Sequence, residues 1–382
     1  MLRLLCFLLP LSALAQAPLR GVVQDSATRQ PLPFSSVFLA NTTIGVTTNE
    51  VGEFTIPRVP AGSYDVVGSY VGYRLSKQTV RVGSQPLPPL TLRLGATGSA
   101  LGEVVVQAPP HRPEDFQKFT EQFLGRTTFS QQCRITNPGD VVVFVADSTH
   151  ELLASAKNFV QVENEALGYR VKYFGLRFSY DPQTEASRFE GQPLLEEMTP
   201  RDEAQRRLWA TNRAAAYAGS LPHFLKSVYD GRVRSSGFLA QQVRLESGGP
   251  AGAAATTKLY AAPLPLDSLR RVDADGRVFL RFHHDLQVAY FGEAPDPRYD
   301  QPMASLGPDP RPDSRKPAKP WPALRQVSGL RLLTPEVEIL PDGSLLDPLA
   351  VSVGDYWAFE KLGEFLPLDY EPGMAGTGAA VK

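Results

Sequence analysis

Residues 19–73, LRGVVQDSATRQPLPFSSVFLANTTIGVTTNEVGEFTIPRVPAGSYDVVGSYVGY, decide the fold of the first part of the chain. Runs of β-branched and aromatic residues alternate there with turn-forming clusters about every 8–12 residues, which is typical of a small antiparallel β-sandwich. Asn49 and Gly52 are placed to form the turn of a hairpin. The predicted strands are 21–25, 35–40, 46–48, 53–56, 63–70, 80–82 and 90–94.

Five short motifs in this stretch resemble the carboxypeptidase regulatory-like family, a prealbumin-like β-sandwich. They are Gly21-x-Val23-x-Asp25, Pro31-Leu32-Pro33, Thr48-Asn49 with Gly52 and Phe54, Val59-Pro60 with Gly62 and Tyr64, and Gly72-Tyr73. Asn49 stands where the family has Asp, and it keeps the turn chemistry. Despite the family name, the resemblance implies a folding, docking or carbohydrate-binding module without catalysis. We assign residues 16–96 to this sandwich.

The N-terminus has the pattern of an export signal. Arg3 precedes an apolar run from Leu4 to Leu14, and Ala13 and Ala15 supply small residues before a cleavage site. The run is too short to span a bilayer, which needs about 20 residues. We therefore predict a signal peptide at 1–15 and an exported protein, located in the periplasm, at the cell surface or outside the cell.

Composition excludes several classes of protein. The chain has 39 basic and 40 acidic residues and a net charge of −1, so no electrostatic footprint for nucleic acid is present. No other segment is long and apolar enough to predict a transmembrane span. Of the two cysteines, Cys6 lies in the signal and leaves Cys133 alone in the mature chain, which excludes an internal disulfide.

A proline-rich linker at 97–113 precedes a second domain at 114–370, and a Gly/Ala tail follows at 371–382. Residues 101–106, LGEVVV, resemble the segment after this module in TonB-dependent outer-membrane receptors. We interpret that likeness as a shared N-terminal building block only. A proline-dense stretch at about 295–322 is predicted to be an irregular insertion.

The second domain mixes helix and strand patterns without βαβ alternation, which predicts an α+β fold. Tyr169 to Tyr180 reads as one long strand whose apolar phase switches at Phe174-Gly175, indicating a bulge. Residues 277–291 alternate strictly and predict one long strand or a tight pair. Helices are predicted at 114–124, 200–217, 220–229 and 355–366, the third capped by Ser220 and the last by Asp355.

Several clusters resemble a family of uncharacterised exported proteins of Bacteroidota, in which the regulatory-like module precedes a domain of unknown function. The longest run is Trp209, Asn212-Arg213, Ala216-Tyr217, Gly219-Ser220 and His223-Phe224-Leu225. The resemblance implies export and a two-domain plan, and it implies no reaction.

The richest polar group in the sequence consists of Asn212, Arg213, Tyr217, Ser220 and His223. One interpretation is a hydrogen-bond cluster that fixes two helices to the sheet. The alternative is a small pocket in which Arg213 and His223 bind a carboxylate or sugar hydroxyls. An enzyme would gather these side chains around an open cleft, whereas a structural cluster would pair its polar atoms internally.

Three other patterns imitate known sites. His111-x-x-Glu114 with His223 has the ligand types of a zinc carboxypeptidase, but His111 lies in the linker, where no rigid element would hold a metal. His283 and His284 would point to opposite faces of a strand and so could not bind one metal ion together. His284 would share a face with Phe282 and Leu286, which predicts a core position for it. Ser220 lacks the strained elbow of a nucleophile.

We therefore predict a mainly β protein with an α+β second domain, without cofactor or metal. Its predicted function is that of a non-catalytic binding or scaffold protein of the cell envelope, with an envelope protein or glycan as partner. A carbohydrate-binding protein is one alternative, and a hydrolase that uses the Arg213–His223 corner is another.

Overall fold

The computed structural model describes residues 17–83, 85–97, 112–246, 256–299 and 325–373. The predicted signal peptide, most of the predicted linker and insertion, and most of the tail lie outside the described residues. The chain divides into two compact units, residues 1–40 with 44–101 and residues 41–43 with 102–382.

Seven strands in two sheets form the first unit. They are β1 (Ala17–Asp25), β2 (Ser36–Leu39), β3 (Gly45–Thr47), β4 (Glu53–Val59), β5 (Gly62–Ser69), β6 (Ser76–Val82) and β7 (Leu90–Leu94). The order is β4-β1-β7 in one sheet and β3-β2-β5-β6 in the other. Apolar side chains from both sheets share one core, in which Val23 and Val37 are fully buried. This confirms the predicted β-sandwich, although β1 and β7 pair in parallel.

The predicted hairpin around Asn49 is wrong as a strand pairing. The turn itself forms, since the Asn49 N–H donates to Glu53 O and Gly52 adopts a φ of 74°. However, β3 pairs with β2 and β4 pairs with β1, so the turn joins the two sheets at a corner. Local turn chemistry is the same in both arrangements.

The second unit begins with a helix against a six-stranded sheet. The elements are α1 (Pro113–Leu124), β8 (Cys133–Ile135), β9 (Val141–Val145), β10 (Leu152–Ala156), β11 (Phe159–Asn164), β12 (Tyr169–Asp181) and β13 (Ala186–Glu197). β12 pairs with β13 along one side and with β11 and β10 along the other; β8 and β9 follow outside these. Phe119 and Phe123 of α1 are fully buried against this sheet, as the helical spacing predicts.

The predicted bulge in the long strand is confirmed. The register of β12 against β13 shifts between Phe174 and Arg177, and Gly175 has a φ of 62°. Tyr173 and Phe174 are both buried as a result. The bulge therefore lets both halves of the strand bury their apolar residues.

Two helices lead from this sheet into the rest of the unit. The elements are α2 (Glu203–Tyr217), α3 (Leu221–Tyr229), β14 (Phe238–Glu246), β15 (Thr256–Pro263), α4 (Leu266–Leu269), β16 (Arg270–Val272), β17 (Val278–Leu280), β18 (Asp285–Tyr290), β19 (Gln326–Leu332), β20 (Val337–Ile339), β21 (Val351–Gly354) and α5 (Asp355–Phe359). One sheet has the order β15-β14-β18-β19-β21, and β16-β17-β20 form a small one. Short 3-10 helices lie at Ser130–Gln132, Pro138–Asp140, Pro348–Ala350 and Leu362–Glu364.

The alternating stretch 277–291 is neither one strand nor a tight pair. It forms β17 and β18, which belong to different sheets, with a break that includes His284 at a φ of 63°. His284 is exposed, so its predicted core position is wrong. Apolar and polar residues alternate through the break because each of the two strands buries one face and leaves the other partly exposed.

The last predicted helix is also shorter than expected. α5 ends at Phe359, and a 3-10 turn at Leu362–Glu364 replaces the remainder. Asp355 does not cap the helix with its side chain and has a φ of 55°. Within the described ranges, no helix combines the length and apolar character needed to cross a bilayer.

Candidate functional site

One face of α2 binds the turn between β11 and β12. The Trp209 indole N–H donates to Glu165 O at 2.8 Å, and Asn212 Nδ2 donates to Ala166 O at 2.7 Å. Arg213 Nε donates to Leu167 O at 2.8 Å. Successive side chains on the helix thus satisfy successive carbonyls of the turn, whose oxygens would otherwise lack partners.

All three nitrogens of the Arg213 guanidinium make a polar contact at this place. Besides Leu167 O, its guanidinium donates to Gly168 O at 3.3 Å and to a carboxylate oxygen of Glu197 at 2.8 Å. The guanidinium carbon lies 4.0 Å from the centre of the Tyr169 ring. Each of the three guanidinium nitrogens has a polar partner and the Tyr169 ring lies against the group, so the protein itself holds the side chain in place and two of its five N–H groups remain.

The turn is shaped to receive the helix. Asn164 Oδ1 accepts from the Leu167 N–H, and Asn164 Nδ2 donates to Gly363 O at 2.9 Å. Gly168 has a φ of 70°, and a methyl group added there would overlap the Trp209 ring. Glycine is therefore required at residue 168 by both the backbone and the packing.

Ser220 caps α3. Its Oγ accepts from the His223 backbone N–H at 3.3 Å and donates to Tyr217 O at 2.8 Å. Both contacts are local. The hydroxyl proton is donated to a backbone carbonyl, so it is not directed at a base. The cap predicted from the sequence is confirmed.

The His223 side chain lies in an aromatic corner. Its ring centre is 4.9 Å from that of Tyr217 and 4.8 Å from that of Phe238. Nδ1 accepts from the Gly219 N–H at 3.2 Å, so the proton of the neutral ring lies on Nε2. Burial lowers the pKa of His223 to about 4. The imidazole is therefore neutral at physiological pH.

Gly219 connects this corner to α5. Its carbonyl accepts from the Trp357 indole N–H at 2.8 Å, and its φ is 84°. The five predicted residues therefore form two groups: Asn212 and Arg213 hold the β11–β12 turn, while Tyr217, Ser220 and His223 pack around Gly219. The sequence could not show this division, because the partners of the first group lie about 45 residues away along the chain.

The sandwich has a buried hydroxyl network at the end where β1 leads into β2. Thr48 Oγ1 accepts from the Ser35 N–H at 2.8 Å and donates to Leu32 O at 3.0 Å. Ser35 Oγ donates to the same carbonyl at 2.9 Å. Ser35 and Thr48 are 0% and 2% exposed. The network ties the 31–35 loop to the turn that follows β3.

This network holds Phe34 outward in an unfavourable backbone conformation. Phe34 has a φ of 58°, donates its backbone N–H to Thr48 O and is 67% exposed. A bulky residue in the left-handed region costs about 1–2 kcal/mol, and such strain persists only where the surroundings fix it. Phe34 was not predicted from the sequence, although a phenylalanine after Pro-Leu-Pro in a polar loop could have indicated it.

Two further exposed apolar residues lie at the same end of the sandwich. Val51 is in the turn after Thr48 and is 56% exposed; Val71 follows β5 and is 77% exposed. Ser36 pairs with both Thr47 and Ser69, so the three loops start from neighbouring strand ends. We call Phe34, Val51 and Val71 the apolar end. They are all the large exposed hydrophobic residues in the described part of the sandwich.

A separate cavity of about 410 Å³ lies beyond α3 in the second unit. Val233, Phe238 and Leu269 form an apolar, buried floor, and Arg232 and Arg234 stand exposed at its rim. Arg232 pairs with Asp230 at 2.6 Å. Neither Arg213 nor His223 lines this cavity, so it differs from the pocket predicted from the sequence.

The comparisons with known proteins bear on the first unit. Residues 19–106 match the model of the CarboxypepD_reg-like domain family. That domain is a β-sandwich and is not catalytic. The matched range extends past residue 96, where the sequence analysis ends the sandwich. No curated protein matches the chain.

Groups able to hold a metal are not found among the residues that the structure describes: no three His, Cys, Asp or Glu side chains converge there. Cys133 is half-buried, and its Sγ donates weakly to Phe129 O at 3.6 Å. Burial raises the pKa of its thiol to about 12. Cys133 is thus a protonated packing residue and a poor nucleophile.

Proposed function

We propose that this protein is an exported, non-catalytic binding or scaffold protein of the cell envelope, and that the sandwich is its docking module. The observation that carries the proposal is Phe34. An exposed aromatic side chain is held in a strained conformation by a buried network, an arrangement that costs stability and is found where a surface binds something.

The second unit supports a role without catalysis. A hydrolase would need a base free to take a proton from a nucleophile. His223 Nδ1 instead accepts from a backbone N–H, and Ser220 Oγ serves as a helix cap. Arg213 is held by two carbonyls and a carboxylate. These pairings favour the structural interpretation of the cluster.

The partner class follows from the chemistry of the apolar end. Phe34, Val51 and Val71 offer an aromatic ring and two aliphatic groups. Glu50 in the same turn as Val51 and Glu53 at the start of β4 are both exposed. Such a surface suits an apolar protein segment flanked by basic residues. A glycan that stacks on Phe34 is the remaining alternative from the sequence.

The test is capture of the partner from the host's envelope fraction by the tagged full chain. Phe34→Gly removes the ring and relieves the left-handed strain, so it should fold at least as stably as the wild type. Leu349→Ser is the matched control, since Leu349 lies in the second unit and is 68% exposed. We expect Phe34→Gly to lose the captured partner and Leu349→Ser to retain it.

Equal capture by wild type and Phe34→Gly would contradict docking through the apolar end. Export is tested separately by sequencing the N-terminus of the protein recovered from the host. Cleavage after Ala15 predicts that the chain begins at Gln16, and an intact N-terminus at Met1 would contradict export.

A further inference from the structure

β9 is an edge of the six-stranded sheet, and no strand among the described residues pairs with its outer side. The Ala146 N–H donates to Glu151 O, and the Lys157 N–H donates to Asp140 O. The even-numbered residues of β9 therefore direct their backbone N–H and C=O groups toward β10. The odd-numbered residues therefore direct their N–H and C=O groups away from the sheet. In the described chain, only the Val141 N–H among these has a partner, Pro138 O.

The edge lacks the features that usually prevent strands from pairing. β9 reads VVVFV, without charge, proline or glycine, and its register against β10 has no bulge. Phe144 and Val145 are 48% and 42% exposed. Soluble proteins protect such edges with lysine, proline or a bulge, or else use them for association.

We propose that β9 pairs with β9 of a second copy of this chain, antiparallel about a twofold axis at Val143. The two six-stranded sheets would then become one continuous sheet. The Val143 N–H of each copy would donate to Val143 O of the other, and each Val145 N–H to Val141 O, which gives four hydrogen bonds.

Self-complementarity is what favours a second copy. In this register Phe144 lies opposite Val142, and Val145 lies opposite Val141, so both exposed apolar residues meet β-branched partners. The flanking carboxylates avoid each other, because Asp140 lies opposite Ala146 and Asp147 lies opposite Gly139. No like charges oppose the pairing.

The first test is the molar mass of the full chain in solution, measured by sedimentation across a range of concentrations. We expect a monomer–dimer equilibrium. Val145→Pro removes an outward N–H without breaking a bond to β10, and Phe144→Lys adds a charge to the edge. Each should weaken dimerisation by about tenfold or more. Leu208→Lys, at a residue of α2 that is 56% exposed, should leave it unchanged.

The second test is amide hydrogen exchange, which locates the interface even if one variant fails to fold. The Val143 and Val145 amides should become protected as concentration rises, while Val142 and Phe144 stay protected throughout. A wild type that is monomeric at every concentration would overturn the proposal. So would a dimer in which Val143 and Val145 exchange freely, or protection that needs a different partner chain.

Discussion

Gly168→Ala probes the joint between α2 and the β11–β12 turn most sharply. Gly168 has a φ of 70°, where a residue with a Cβ costs about 1 kcal/mol. The added methyl would also overlap the buried Trp209 ring, and overpacking of this kind costs about 1–3 kcal/mol. We expect the free energy of unfolding to fall by about 3 kcal/mol.

Gly276→Ala is the matched control. Gly276 belongs to the same unit and has a φ of 78°, but nothing lies within 4 Å of an added methyl. It should cost about 1 kcal/mol, the conformational part alone. Repeating Gly168→Ala in a Trp209→Leu background should also cost about 1 kcal/mol, because the smaller side chain leaves room.

The assay is urea unfolding followed by tryptophan emission. Trp209 and Trp357, the two tryptophans among the described residues, lie in the second unit, so their emission reports on that unit. If Gly168→Ala costs no more than Gly276→Ala, the Trp209 ring does not restrict the side chain at residue 168. The same holds if the cost is unchanged in the Trp209→Leu background.

Three further predictions follow from buried titratable groups. Burial lowers the pKa of His223 from 6.5 to about 4. Only the unfolded chain then binds a proton at residue 223 as the pH falls, so this residue should lower the unfolding free energy by about 2 kcal/mol from pH 7.5 to 5, measured as the difference between wild type and His223→Gln. His223→Gln should lack this drop, and an unchanged pH profile would contradict the assignment. Burial raises the pKa of Glu364 from 4.5 to about 7, so this residue contributes in the opposite direction: its contribution to the unfolding free energy should fall by up to about 3 kcal/mol as the pH rises through that interval. The difference in unfolding free energy between wild type and Glu364→Gln should show this contribution in urea titrations at several pH values; a difference that does not change with pH would disprove it. In a Cys6→Ser background at pH 8, an aromatic disulfide reagent should label Cys133 about a thousandfold more slowly in the folded protein than in urea, given the thiol pKa of about 12. Rapid labelling of the folded protein would show that the thiol is accessible and ionised.

Local patterns predicted local structure well. The phase switch in 169–180 located the bulge in β12, because burying both halves of one strand demands an extra residue at the crossover. Ser220 followed by Pro222 located the start of α3, since the cap and the first turn depend on adjacent residues. Such features are determined within a few residues of the chain.

Features that depend on distant residues were not predicted. The turn at Asn49 to Gly52 has hairpin chemistry, but the choice of β1 as the partner of β4 is made by the sandwich core. The strand break before β18 is likewise invisible, since 277–291 alternates throughout. Propensity and alternation do not specify which sheet a strand joins.

The candidate site shows the same limit. The sequence grouped Asn212, Arg213, Tyr217, Ser220 and His223 because they are close along two helices. Their partners are carbonyls and rings supplied by other elements, and these divide the group in two. The apolar end was missed for the complementary reason: Phe34, Val51 and Val71 are ordinary loop residues until the strand ends bring them together.

The most direct test of docking through the apolar end is photo-crosslinking in the host cell. A photoreactive phenylalanine analogue would replace Phe34 in one strain and Leu349 in another, two residues with nearly equal exposure, 67% and 68%. Our account predicts a discrete crosslinked product from residue 34 and none from residue 349. Absence of a product at residue 34, or equal products at both, would contradict it.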